Sequence, residues 1–108
     1  MNEMKETIIS SGGVTVADKI RVTHATGLHA RPSVKFTMLA KTFAADIEIA
    51  AGPEGPWIDA KSIVKVMATK VPKDTLLHVR ANGAEAEAAV LALVDLVRRD
   101  FDEGSGGG

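Results

Sequence analysis

One pattern narrows the folds open to this chain more than any other. In four short stretches apolar residues alternate with polar or charged ones: Ile20 and Val22 with Arg21 and Thr23, Ile47 and Ile49 with Asp46 and Glu48, Ile58 and Ala60 with Trp57 and Asp59, and Leu77 and Val79 with His78 and Arg80. A period of two marks a strand that buries one face and wets the other. Such a sheet must cover its apolar face, and the segments between the strands supply the cover. "SVKFTMLAKTF" spaces Val34 and Met38, and then Phe36, Leu39 and Phe43, three and four residues apart, an amphipathic helix in which Pro32 is tolerable only near the start. Ser62 suits the N-cap of a short apolar run that ends at Val71, before Pro72. Beyond Asn82 and Gly83, Ala86, Val90, Leu93, Val97 and Phe101 fall on one face of a last helix, with Glu85 and Glu87 in its first turn and Arg98 and Arg99 near its end, as the helix dipole favours. The order β-α-β-β-α-β-α predicts an α+β open-faced β-sandwich, a four-stranded antiparallel sheet covered on one face by three helices.

With 108 residues, 45% of them hydrophobic, the chain can bury one modest core and no second domain is expected. The predicted domain covers residues 16–103. Before it lies a polar, flexible leader, 1–15, in which only Ile8 and Ile9 are apolar neighbours, and after it "GSGGG", 104–108, has the composition of a flexible tail. Between the second and third strands "AGPEGP" breaks the ladder with two prolines and two glycines. A net charge of −1 leaves no global field to recruit nucleic acid or an anionic membrane. No apolar run approaches the roughly 20 residues that would span a bilayer. The start of the chain also lacks the basic-then-apolar order of a secretory signal, so a soluble protein without membrane insertion is expected. The absence of cysteine excludes a disulfide framework and thiolate zinc sites, and suits a cytoplasmic location.

The stretch "THATGLHARPSVKF" joins the first strand to the first helix and concentrates polar chemistry there. Gly27 permits a tight turn out of the strand. His29 then falls at the mouth of the helix, where unpaired N–H groups and the positive end of the dipole suit an anion. Arg31 adds a planar charge fitted to phosphate oxygens. A phosphoryl group on the imidazole of His29 would therefore sit among helix amides and a guanidinium, nucleophile and cradle together. Spacing alone leaves the alternatives open, since a histidine in this position can equally be a cap, a surface residue or a packed polar group. His24 and His78 read as bystanders, the first on the inward side of its strand and the second outward among charges. Three scattered histidines without ligand spacing argue against a metal site. No P-loop, dinucleotide fingerprint or hydrolase triad is present, and no cofactor is implied.

A second candidate surface is "DAKSIVKVMATKVP". A helix of barely two turns has one buried stripe, so Val66 and in part Ile63 should pack inward while Val64 and Met67 face water as a docking patch. Lys61, Lys65 and Lys70 surround it. Ser62 is either a simple N-cap or a phosphorylation switch that would add negative charge to that patch.

"GLHARPSVKF" followed by "AKSIVKVM" resembles the HPr family, the histidine-containing phosphocarriers of the bacterial phosphoenolpyruvate-dependent phosphotransferase system, and the resemblance spans residues 18–101. It implies that His29 accepts phosphate through Nδ1 from an enzyme I-type phosphotransferase and passes it to IIA-type domains, as a stoichiometric carrier rather than an enzyme. It further implies that Arg31, with Thr26 and Ala30 beside the helix start, stabilises the phosphate. Ser62 matches the serine that HPr kinase/phosphorylase modifies in regulated members, and Ile63, Val64 and Met67, flanked by Lys65 and Lys35, match the partner-docking surface. Thr26 stands where Asn or Ser is common in the family. The longer "AGPEGPW" connection, Trp57 and the leader depart from the usual pattern and resemble a proteobacterial regulatory branch, which can report phosphorylation state without moving sugar.

Overall fold

The computed structural model describes residues 6–10, 13–24 and 27–102. Along the chain run β1 (Glu6–Ser10), β2 (Gly13–Arg21), α1 (Ala30–Ala40), β3 (Asp46–Ala50), β4 (Ile58–Asp59), α2 (Ile63–Thr69), β5 (Leu76–Asn82), α3 (Ala86–Arg98) and a 3₁₀ turn, Asp100–Asp102. All strand pairings are antiparallel and the sheet order is β1-β2-β5-β3-β4. The four alternating stretches thus form the predicted open sheet under three helices. A fifth strand is added at one edge. β1 pairs with β2 from Glu6 opposite Ala17 to Ser10 opposite Gly13, so part of the stretch expected to be a flexible leader is held in the ladder. Residues 104–108, expected as a tail, lie outside the described residues.

Alternation places the core. β5 has a strict buried-and-wet rhythm, with Leu77, Val79 and Ala81 buried, and its register sets Ala81 between Val16 and Ile47. α3 crosses this face with Ala86, Ala89, Val90, Leu93, Val94, Leu96 and Val97 buried. Removing a Leu93-sized side chain from water contributes about 1.5–3 kcal/mol, and the cluster around it is continuous through Phe36 and Phe101.

Three details differ from the sequence expectation. The buried stripe of α1 is Pro32, Ser33, Phe36, Thr37 and Ala40, which leaves Val34 and Met38 facing solvent. Small Ser33 and Thr37 allow the helix to sit close to its neighbours, and that choice rotates the larger Val34 and Met38 outward. Phe101 is buried as expected but lies beyond α3, in a turn whose three residues all have positive φ, 55° to 61°. Trp57 lies outside the two-residue β4, with the Arg80 guanidinium 3.9 Å from its ring centroid.

Candidate phosphoryl site

The junction after β2 is built by backbone bonds. Gly27, at φ 68°, donates its amide to the His24 carbonyl at 2.9 Å. A side chain at Gly27 would run into the carbonyl of Val71 and the backbone of Pro72, so glycine is required both by the angle and by the close approach. The next residue, Leu28, is buried and donates its amide to the Val71 carbonyl at 2.8 Å. Its own carbonyl accepts the Ser33 hydroxyl at 3.0 Å. The loop entering α1 is thereby tied both to the segment after α2 and to the first turn of α1.

His29 is the N-cap of α1, extended at φ −95° and ψ −158°, and its carbonyl accepts the Ser33 amide at 2.8 Å. Its side chain makes no cap hydrogen bond and the residue is exposed. The backbone of His29 is therefore fixed while its imidazole projects into solvent beside the helix mouth. Ala30 and Arg31, both exposed, are the first two residues of the helix, and Ala30 brings its amide to the end where helix N–H groups lie outside the intrahelical ladder. Pro32, third in the helix and buried, has no N–H and removes nothing the first turn could use. Thr26, named from the sequence as a phosphate neighbour, lies outside the described residues.

α2 packs against α1, which brings the second signature alongside the first. Ser62 is the N-cap of α2, half-exposed, and its hydroxyl oxygen accepts the Lys65 amide at 3.3 Å. Val66 is the buried residue of this helix; Ile63 is partly covered, Val64 is 74% exposed, Met67 39% exposed, and Lys65 lies in solvent. α1 adds Val34 and a 64% exposed Met38. Ala30, Val34 and Met38 are spaced by four, so one exposed stripe starts beside His29 and continues along α1. The α1 half of this surface was not read from the sequence, because apolar residues in a helix are counted as core by default. Lys35 is part-buried, and its ammonium donates to the Phe101 carbonyl at 2.9 Å.

The 3₁₀ turn packs against the segment that follows β2. The Thr23 hydroxyl donates to an Asp100 carboxylate oxygen at 2.8 Å, and the His24 ring meets Phe101 edge-on at 5.8 Å between centroids. His24 is a packing residue beside the loop. No group of three or more metal-ligating side chains occurs among the described residues, and none of their helices is long and apolar enough to cross a membrane.

Comparison with known proteins identifies the family. The family model described as the PTS HPr component phosphorylation site matches residues 16–99. The phosphocarrier protein HPr of Pseudomonas aeruginosa is 36% identical over 86 residues, which cover 80% of this chain and 94% of that protein. The phosphocarrier protein NPr of Escherichia coli is 30% identical over 83% of this chain and 99% of its own. Among solved structures, HPr-C-His from Thermoanaerobacter tengcongensis superposes with a TM-score of 0.75 at 33% identity, covering 82% of this chain and 97% of that one. The sheet and its helices, the exposed histidine at the mouth of α1 and these likenesses together make the chain a member of the HPr family, phosphocarriers of the phosphotransferase system.

Proposed function

We propose that the chain is a cytoplasmic, stoichiometric phosphoryl carrier of the phosphoenolpyruvate-dependent phosphotransferase system, with His29 as the residue that bears the phosphate. The supporting observation is the solvent-facing imidazole on a backbone pinned at both sides, the Leu28 amide on Val71 and the His29 carbonyl on Ser33. An imidazole nitrogen of His29, Nδ1 in the family pattern, attacks the phosphorus of an enzyme I-type phosphohistidine. One N–P bond forms as the donor's N–P bond breaks, the electron pair returns to the donor ring, and the same exchange in reverse order delivers the group to a IIA-type domain. The carrier contributes presentation: helix-end amides beginning at Ala30 and the Arg31 guanidinium meet the phosphate oxygens. Successive partners dock on the exposed apolar residues of α1 and α2. Incubation with phosphoenolpyruvate and enzyme I is expected to give an acid-labile, alkali-stable phosphate that His29→Ala abolishes. Normal labelling of that variant overturns the assignment.

A second reading is favoured by Ser62, half-exposed at the start of α2 next to Val64 and Met67. Phosphorylation there by an HPr kinase/phosphorylase would put a charge of nearly two beside the docking surface and make the chain a regulatory module that need not move sugar. An acid-stable phosphate from ATP and the kinase, absent in Ser62→Ala, is the expected signature. A kinase that leaves the wild-type chain unmodified removes this reading while leaving the His29 reading intact.

A further inference from the structure

The face of the sheet turned away from the helices is divided by charge. Strand alternation places Lys19 and Arg21 of β2 and Arg80 of β5 on this face, and Asp46 and Glu48 of β3 and Asp59 of β4 beside them. Across β2, β5, β3 and β4 one half is basic and the other acidic, while Glu6 of β1, whose register opposite Ala17 is that of this same face, belongs to the edge strand outside those four. Asp18, of the opposite parity, turns a carboxylate oxygen to the Lys19 amide at 2.8 Å; Arg21 donates to the Asp74 carbonyl at 2.8 Å, and Lys61, after β4, borders the acidic half while its ammonium donates to the Phe43 carbonyl at 2.9 Å. At the centre Arg80 is held between the Trp57 ring, 3.9 Å from its centroid, and Glu48, whose carboxylate oxygen lies 2.8 Å from Nε. On the acidic side a shallow cavity of about 400 Å³ opens between Asp46, Glu48, Asp59 and Lys61.

We propose that this face pairs with the same face of a second copy of the chain. Sheet order decides the geometry. A two-fold axis lying between the two faces and parallel to the strands sets β5 on β3 of the second copy and β2 on its β4. Basic strands then oppose acidic strands twice over. Arg80 stands over Glu48 of the other copy, and because Glu48 pairs with both Arg80 and Asp59, the Asp59 side chain falls one row from Lys19 of the other copy, within reach of a lysine. A two-fold axis across the strands would instead lay like charges together, so the charge division selects one dimer and rejects the other. The contact is polar and therefore weak and sensitive to salt. His29 lies at the start of α1 in the helical layer, so pairing leaves it accessible, and the proposal does not rest on the phosphoryl reading.

The test is sedimentation of the full chain at low and high salt, with Lys19→Glu, Asp59→Lys and an equimolar mixture of the two, each variant first shown by its melting curve to be folded. The wild type is expected to dimerise at low salt and to revert to monomer at high salt. Each reversal alone should weaken self-association by about tenfold or more, equivalent to about 1.4 kcal/mol, and the mixture should restore it. A wild type that stays monomeric at low salt, whatever other molecule binds this face, overturns the proposal. Single reversals without effect, or a mixture that fails to recover, overturn it as well.

Discussion

The carbonyl of Val71 receives the Leu28 amide at 2.8 Å and at the same time occupies the space that a side chain on Gly27 would need. One oxygen therefore couples the loop that carries His29 to the segment leaving α2. Gly27→Ala meets both a positive φ and a backbone obstacle. It is expected to lower unfolding stability by about 2 kcal/mol or more, since the left-handed angle alone costs about 1–2 kcal/mol and the carbonyl must also move. Urea denaturation reads the loss directly. Because Leu28 shifts with the loop, phosphate acceptance from enzyme I should slow in the same variant even where it is fully folded.

Thr37 lies in the buried stripe of α1, 2% exposed, and its hydroxyl has no hydrogen-bond partner among the described residues. A buried hydroxyl without a partner forfeits the hydration it had in the unfolded chain. Thr37→Val keeps the branched shape and removes that penalty, so stability should rise by about 1 kcal/mol, seen as a higher urea midpoint at unchanged slope. No effect on phosphoryl transfer is expected, because Thr37 faces the core while His29 faces solvent.

The sheet and the last helix were legible because their pattern is local. Leu77 and Val79 need only their own alternation to declare an inward face, and Ser62 before an apolar run declares a cap. The site's supports were less legible because they join distant segments. Nothing near Leu28 signals that its amide meets Val71, and nothing near Lys35 signals that its ammonium reaches the carbonyl of Phe101. The turn at Asp100, Phe101 and Asp102 takes positive φ without a glycine, so ordinary turn chemistry does not announce it. In α1 the buried stripe is not the one that Val34 and Met38 form. Val34 and Met38 have helical spacing and apolar chemistry, yet smaller Ser33 and Thr37 take the inward position. Helical periodicity identifies a stripe; which of two stripes is buried depends on the space the neighbouring elements leave.

Ser62 makes two separable predictions. As an N-cap with a 3.3 Å contact to the Lys65 amide, it should contribute modestly, so Ser62→Ala is expected to cost about 0.5–1 kcal/mol and Ser62→Asp, another good cap, close to nothing. Thermal unfolding of the two variants checks this. The functional expectation runs in the opposite order. Ser62→Ala should accept phosphate from enzyme I at the wild-type rate, whereas Ser62→Asp, with its negative charge beside Val64 and Met67, should accept it more slowly. Equal rates for both would leave Ser62 a cap alone.

Met38 and Val64 are among the most solvent-exposed large apolar residues described, at 64% and 74%, and they lie on two helices that pack together. Exposing both gains nothing in folding, since neither side chain leaves water, so their contribution is expected in partner contacts. A few such residues, fully covered only in the complex, dominate the energy of small interfaces. Met38→Asp and Val64→Asp should each leave the urea midpoint within about 0.5 kcal/mol of wild type. Each should raise the KM for the carrier in phosphate transfer from enzyme I by about tenfold, equivalent to about 1.4 kcal/mol of lost contact, with kcat little changed because His29 and its pinned backbone are untouched. A drop in kcat at unchanged KM would mean instead that these residues act through the position of His29. An unchanged KM and kcat would remove them from the docking surface and move the search for it to the basic side chains beside α2.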